Sequence, residues 1–235
     1  MKKIIIANWK CNPTTVGQAK DLARGVKAIV CAPFVYIKEV KAECGQDCFW
    51  EDQGAYTGEV SAKILKNLGV KYVLTGHSER RRLFGETDEI INKKVKAILG
   101  NKLVPIFCVG ETEEERKKGE TFKALEQQIK NGLREISKQK VGSVIVAYEP
   151  IWAIGTGSAC LPEDAVTAVL FIKKTLSLIF GLKTVQKIPI IYGGSVNSKN
   201  AESYLAEKEI SGLLVGGASL NKKQFSKICK IAASF

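Results

Sequence analysis

The 235-residue chain reads as an α/β protein built as one closed (β/α)8 barrel. Three observations predict that class. Apolar, β-branched runs of strand length alternate with amphipathic helical stretches along the whole chain. There are eight such pairs at roughly 30 residues each, the size of one right-handed βα unit. The strand runs are apolar nearly throughout, as in a parallel sheet buried on both faces, and eight such units close into a barrel. An open doubly wound sheet is the alternative, but no Gly-x-Gly-x-x-Gly follows the first strand, where a dinucleotide-binding sheet would carry it. No Pro/Gly/Ser-rich linker or low-complexity segment divides the chain, so residues 1–235 read as a single domain.

The isoleucine run at 3–8 is the first strand, and 14–27 is helical. A second strand at 28–32 precedes a short helix at 34–42; the third strand, at 44–49, has the weakest pattern. Residues 60–68 are helical, 71–75 form the fourth strand, 78–84 a short helix and 86–100 a longer one. The fifth strand covers 103–108 and is followed by helical sequence over 112–137. The sixth strand lies at 143–147 with a helix at 163–179, the seventh at 188–192 with a helix at 197–206, and the eighth at 212–215 before a final helix.

Composition excludes several classes. No run of 18 apolar residues is present, so no transmembrane helix is expected. The Met-Lys-Lys-Ile-Ile-Ile-Ala start is interrupted by Asn8, Trp9, Lys10 and Asn12 too early for a secretory h-region. A soluble cytoplasmic protein is therefore expected. Seven cysteines (Cys11, Cys31, Cys44, Cys48, Cys108, Cys160 and Cys229) without Cys-x-x-Cys argue against a disulfide framework or a zinc site and for reduced thiols. His77 is the only histidine, which excludes a histidine-rich metal centre.

Lysine and arginine total 36 against 24 acids, a formal charge of +12. Between 165 and 201 stand Lys173, Lys174, Lys183, Lys187 and Lys199 with no acid, and Lys222, Lys223, Lys227 and Lys230 follow. Such charge either solvates a face or attracts anions. Neither spacing nor interleaved aromatics make a nucleic-acid motif, so no specific nucleic-acid partner is expected.

Polar outliers collect at the carboxyl ends of strands, where active sites of this barrel class are built. Asn8 and Lys10 end the first strand, His77 and Glu79 follow the fourth, Glu149 ends the sixth, Ser195 follows the seventh, and Gly216 and Gly217 follow the eighth. Gly216-Gly217-Ala218-Ser219 opening a helix is a phosphate cradle candidate, because glycine lets backbone approach an anion and a helix start presents free N–H groups. Gly193-Gly194-Ser195 makes the same offer one strand earlier. The alternative for each is a tight turn.

A helix start beside His77 disfavours a positive imidazole and suits a neutral hydrogen-bond donor; a structural histidine is the alternative. Lys10 is either a solvated cation or a charge that holds a dianion and steadies a developing enolate. Asn8 is a turn residue or a substrate-binding amide. Glu79 reads equally as a first-turn acid in a salt bridge. No Walker lysine motif is present.

The stretch 147–157, Ala-Tyr-Glu-Pro-Ile-Trp-Ala-Ile-Gly-Thr-Gly, places a carboxylate at a strand tip, then Pro150, then an apolar segment closed by Gly155-Thr156-Gly157. It reads as a water-excluding lid beside Glu149, or as a surface turn whose Trp152 packs on the body. This stretch resembles the catalytic glutamate and mobile lid of the triosephosphate isomerase family. The resemblance continues at Asn8-Trp9-Lys10, at 75–81 (Thr-Gly-His-Ser-Glu-Arg-Arg), at 192–196 (Tyr-Gly-Gly-Ser-Val) and at 215–219 (Val-Gly-Gly-Ala-Ser), nearly end to end.

The resemblance implies a TIM barrel that interconverts dihydroxyacetone phosphate and D-glyceraldehyde 3-phosphate. Glu149 would be the base, His77 the neutral electrophile and Lys10 the charge on the enediolate, helped by Asn8; this glutamate–histidine pairing is a standard worked case for that enzyme. Gly155, Ser195, Gly216 and Gly217 would hold the phosphate, with neither metal nor organic cofactor implied. In the family's closed state Trp152 would reach toward Glu111, while Tyr192 and Ser195 would latch the lid. Residues 54–59 resemble the family's dimer loop and would place Thr57 in a neighbouring subunit, implying a homodimer.

Three departures stand out. The lid continues Ser158-Ala159-Cys160, where a lysine-threonine-alanine hinge is usual; Asp47 replaces the usual asparagine; and the first two helical segments are shorter by roughly two turns each. Another phosphate-handling barrel enzyme, or a basic binding protein on a retired barrel, are the competing readings. Retention of Lys10, His77 and Glu149 argues against both.

Overall fold

A computed structural model describes residues 2–155 and 159–235. Eight parallel strands close into a barrel in chain order, β8 pairing back onto β1. They are β1 (Ile4–Asn8), β2 (Ile29–Ala32), β3 (Cys44–Gly45), β4 (Tyr72–Thr75), β5 (Val104–Val109), β6 (Ile145–Tyr148), β7 (Ile190–Tyr192) and β8 (Gly212–Val215). The helices are α1 (Val16–Ala23), α2 (Ile37–Val40), α3 (Ala62–Asn67), α4 (Ser78–Phe84), α5 (Asp88–Gly100), α6 (Glu113–Lys117), α7 (Thr121–Gly132) and α8 (Lys138–Val141). After β6 come α9 (Pro162–Phe180), α10 (Leu182–Val185), α11 (Ala201–Ala206) and α12 (Lys222–Ala232).

Side chains alternate across each strand, which splits the core in two. Ile6, Leu74, Ile106, Ile145, Ile191 and Leu214 fill the barrel interior. Val73, Phe107, Val146, Ile190 and Leu213 face outward and pack beneath the helices. Closure needs glycine where backbones nearly touch: a Cβ on Gly212 would lie 1.9 Å from the Ile4 carbonyl oxygen, and one on Gly110 would lie 1.8 Å from that of Glu149.

Three expectations are corrected. The third strand is two residues long, not six: the ladder ends at Gly45, and just beyond it the Gln46 side-chain amide donates to the Lys10 and Cys31 carbonyls, both at 2.9 Å. The helical stretch at 112–137 breaks after α6 at Gly119, whose φ of 72° provides the left-handed residue that ends a helix. The cysteines are not all reduced thiols. Cys31 and Cys44 form a disulfide between β2 and β3, where the register makes them partners with Cα atoms 4.3 Å apart. The first helix, α1, is short as well: Thr15 caps its start, accepting from the Gln18 N–H, and Gly25 (φ 76°) follows its end.

Candidate active site

One cavity of about 450 Å³ at the carboxyl ends of the strands is lined by Asn8, Lys10, His77, Glu149, Gly155, Ser195, Gly216 and Gly217, while Glu79 stands outside its lining. Strand tips aim these side chains and backbone atoms at one point, although they are spread over 210 positions of sequence.

Glu149 follows β6 and is 2% exposed. Its Oε2 accepts from the Ser78 N–H at 3.2 Å, and its Oε1 has no hydrogen-bond partner among the described residues. Oε1 lies 3.4 Å from His77 Nε2. Gly193 leaves room for this carboxylate, since a Cβ there would come within 3.0 Å of Glu149 Cγ. The inward-facing Cys108 of β5 packs against it; burial first, then the Glu149 charge, push that thiol well above its usual range.

His77 caps α4. Its Nδ1 accepts from the Glu79 N–H at 3.2 Å, so Nδ1 carries no proton and the ring's proton belongs on Nε2, which faces Glu149 and the cavity. The helix start thus fixes the ring's orientation and tautomer.

Lys10 adopts a left-handed backbone, φ 54°, unusual outside glycine. The strain is held from two sides: Asn8 Oδ1 accepts from the Lys10 N–H at 3.0 Å, and Gln46 donates to its carbonyl. Lys10 Nζ meets Glu79 Oε1 at 2.6 Å. Glu79 is therefore a first-turn acid in a salt bridge, but with Lys10 and not with its neighbours. Arg80 instead serves Glu86 and Asp47, and Arg81 serves Asp88.

Gly216 and Gly217 begin a 3-10 turn, Gly217–Leu220, and Gly193-Gly194-Ser195 stands beside it. The N–H groups of Ser195 and Gly217 have no acceptor among the described residues. Two free donors from adjacent strand ends suit an anion. Gly155 lines the same cavity. Thr156, Gly157 and Ser158 lie outside the described residues, and with them the lid closure, the first hinge residue and the lid backbone that Tyr192 and Ser195 would latch; Cys160 of the hinge is buried, its carbonyl accepting from the Tyr204 hydroxyl.

The described part of the lid is anchored by Glu111. Its carboxylate accepts from Trp152 Nε1 at 2.7 Å and from the Tyr148 hydroxyl at 3.1 and 3.2 Å. Burial raises the Glu111 carboxyl from its ordinary value, opposed by these donors and by Arg116, whose guanidinium stacks 3.5 Å from the Trp152 ring centroid. Trp152→Phe removes a donor from a buried charge and is expected to cost about 1.5–3 kcal/mol, read from denaturant unfolding. Sequence reasoning missed Ser78, Cys108 and Gln46. Period-two counting from Ile106 could have placed Cys108 inside the barrel, but the other two act through a backbone N–H and a cross-strand amide that leave no local pattern.

Comparison with known proteins places the whole chain in one family. The family model described as triosephosphate isomerase matches residues 3–232. Curated triosephosphate isomerases are similar over nearly their full lengths. That of Dictyoglomus turgidum is 43% identical over 97% of this chain and 99% of its own. That of Moorella thermoacetica is 44% identical over 97% of both chains. That of Chloroherpeton thalassium is 44% identical over 98% of this chain and 99% of its own. With likeness of that depth along the whole barrel, the chain belongs to the triosephosphate isomerase family.

Proposed function

We propose that the chain interconverts dihydroxyacetone phosphate and D-glyceraldehyde 3-phosphate, with Glu149 as base, neutral His77 as electrophile and Lys10 as the enediolate's counter-charge. The observation that carries this reading is the 3.4 Å approach of His77 Nε2 to Glu149 Oε1 inside the cavity that Lys10 and the two glycine loops also line. The substrate phosphate sits on the N–H groups of Ser195 and Gly217, with Gly155 and Gly216 alongside. That grip leaves the carbonyl and hydroxyl oxygens toward His77 and Lys10, with Asn8 supporting the Lys10 turn. Glu149 leaves the Ser78 N–H, takes a proton from one carbon and returns it to the next, while the Nε2–H of His77 polarises the oxygen on which charge develops. The described lid base, Ile151–Ala153, is placed to exclude water once the rest of the lid covers the phosphate.

A coupled assay on D-glyceraldehyde 3-phosphate tests this: rapid conversion is expected, and no conversion by a folded protein would refute it. Lys10→Met is expected to lower kcat by about 10²–10³, as for other lost charge-stabilising donors, and to weaken inhibition by inorganic phosphate. Unchanged inhibition would remove Lys10 from the anion site.

The functional unit is a homodimer in the cytoplasm, built on one barrel domain over 1–235. Residues 54–59 are exposed, with the Tyr56 ring 4.5 Å from that of Phe49. Among the described residues no helix is long and apolar enough to cross a membrane. Sedimentation is expected to give about twice the 25.7 kDa chain mass, and Thr57→Arg to give monomers. A monomeric parent would rule out the dimer.

A further inference from the structure

We propose that the amino-terminal face of the barrel, opposite the active site, carries a second binding site for an amphiphilic organic anion: a small apolar body bearing a phosphate or carboxylate. A cavity of about 830 Å³ opens there between the start of β1, the middle of α9, the α10 segment and the turn from α11 into β8. That is larger than the active-site cavity and within the roughly 300–1,000 Å³ common for small-molecule sites.

Its floor is apolar. Val185, Ile188 and Ile210 are buried beneath it, while Leu182 (67% exposed) and Phe235 (46% exposed) stand open at its edge. Its other lining residues include Lys2, Lys3, Lys173, Lys174, Lys187 and Lys208, and among the described residues no aspartate or glutamate lines it. Two of these lysines are occupied: Lys173 pairs with Glu209, and Lys3 Nζ donates to the carbonyls of Glu207 and Ile210 at 2.8 and 2.7 Å. Lys2, Lys174, Lys187 and Lys208 have no carboxylate within 4.0 Å among the described residues. Burial holds Lys3 below the usual lysine range, against the pull of Glu207.

Charge and apolar surface so combined select a ligand that supplies both complements. A bare anion leaves the floor wet, and a neutral hydrophobe leaves the lysines unmatched. A single-stranded nucleic acid needs successive stacking rings along a groove, and Phe235 is the only aromatic in the lining. The acid-free run at 165–201, which the isomerase site does not use, places Lys173, Lys174 and Lys187 here. The cleft also stays open in a dimer built on the loop after β3. Strands β7 and β8 border the cleft, and β7 stands four places from β3 in the eight-strand ring.

Calorimetric titration with octyl phosphate, in excess inorganic phosphate to occupy the active-site grip, tests the site. One equivalent per chain is expected. Lys187→Glu with Lys208→Glu should weaken it at least about tenfold, and Leu182→Gln should weaken it independently. Isomerase activity should be unchanged in both variants, since none of these residues lines the active-site cavity. No octyl phosphate binding, or binding indifferent to both variants, overturns the proposal. So does binding of a single-stranded oligonucleotide, without octyl phosphate, that the charge reversals abolish and Leu182→Gln leaves intact; that result would assign the face to nucleic acid.

Discussion

Glu149→Gln is expected to lower kcat by about 10²–10⁴, the usual contribution of a positioned general base, while the protein stays folded. Glutamine matches the carboxylate in shape and can keep an oxygen on the Ser78 N–H, so the cavity survives. What it lacks is a basic oxygen. Glu149 is 2% exposed and its Oε1 has no hydrogen-bond partner among the described residues, so the fold gains little from its charge. A neutral amide relieves a desolvated ion, and thermal unfolding should be unchanged or slightly higher. Steady-state kinetics beside a melting curve separates the two effects. Retained kcat would show that another group abstracts the proton, and a collapsed melting temperature would show that Glu149 is structural.

Lys94→Met is expected to destabilise the fold by about 3–5 kcal/mol, the usual cost of leaving buried charge uncompensated. Lys94 is 3% exposed on α5. Its Nζ meets Asp47 Oδ1 at 2.7 Å and Glu86 Oε1 at 2.5 Å, and Arg80 reaches the same two carboxylates at 2.9 and 2.5 Å. Two acids and two bases balance; methionine leaves two acids to one half-buried arginine. In this four-residue cluster the usual asparagine is replaced by Asp47.

The pH dependence has a definite sign. Burial raises the Asp47 carboxyl, with Glu86 reinforcing and Lys94 and Arg80 opposing. A carboxyl raised in the folded state binds its proton more tightly there than in the unfolded chain. Its unfavourable contribution therefore grows as pH rises from the ordinary aspartate value through the raised one. Losing Lys94 raises it further, so the variant's deficit should shrink as pH falls through that range. Lys94→Met with Glu86→Gln should recover part of the loss. Unfolding free energies equal to the parent's across pH would contradict the account.

The barrel was legible because its evidence is local. Every strand but the two-residue β3 announces itself by an apolar run such as Ile4-Ile5-Ile6, and parallel closure follows from the repeat. That the candidate site residues share one cavity was legible because this fold brings strand ends together, so position in the chain stood in for position in space. Features made across the fold were not. Lys94 sits in α5 among Asn92, Lys93 and Lys96, and nothing local says that it faces inward while Lys96 pairs with Glu135 at the surface. The Cys31–Cys44 bond needs the β2–β3 register, and the Gln46 side chain finds its acceptors, the Cys31 and Lys10 carbonyls, on β2 and just past β1. Glu79 could be read as a salt-bridging acid, but its partner Lys10 lies 69 positions away.

The most direct test of the central claim is conversion of dihydroxyacetone phosphate in deuterated water, with the product followed by NMR. A proton carried by the Glu149 carboxylate exchanges with solvent while it is held. The account therefore predicts product bearing deuterium at the carbon that receives the proton, and loss of both turnover and label in Glu149→Gln. Full turnover with no solvent label, persisting in Glu149→Gln, would mean that hydrogen passes directly between carbons, and would contradict the enediolate route and the role given to Glu149.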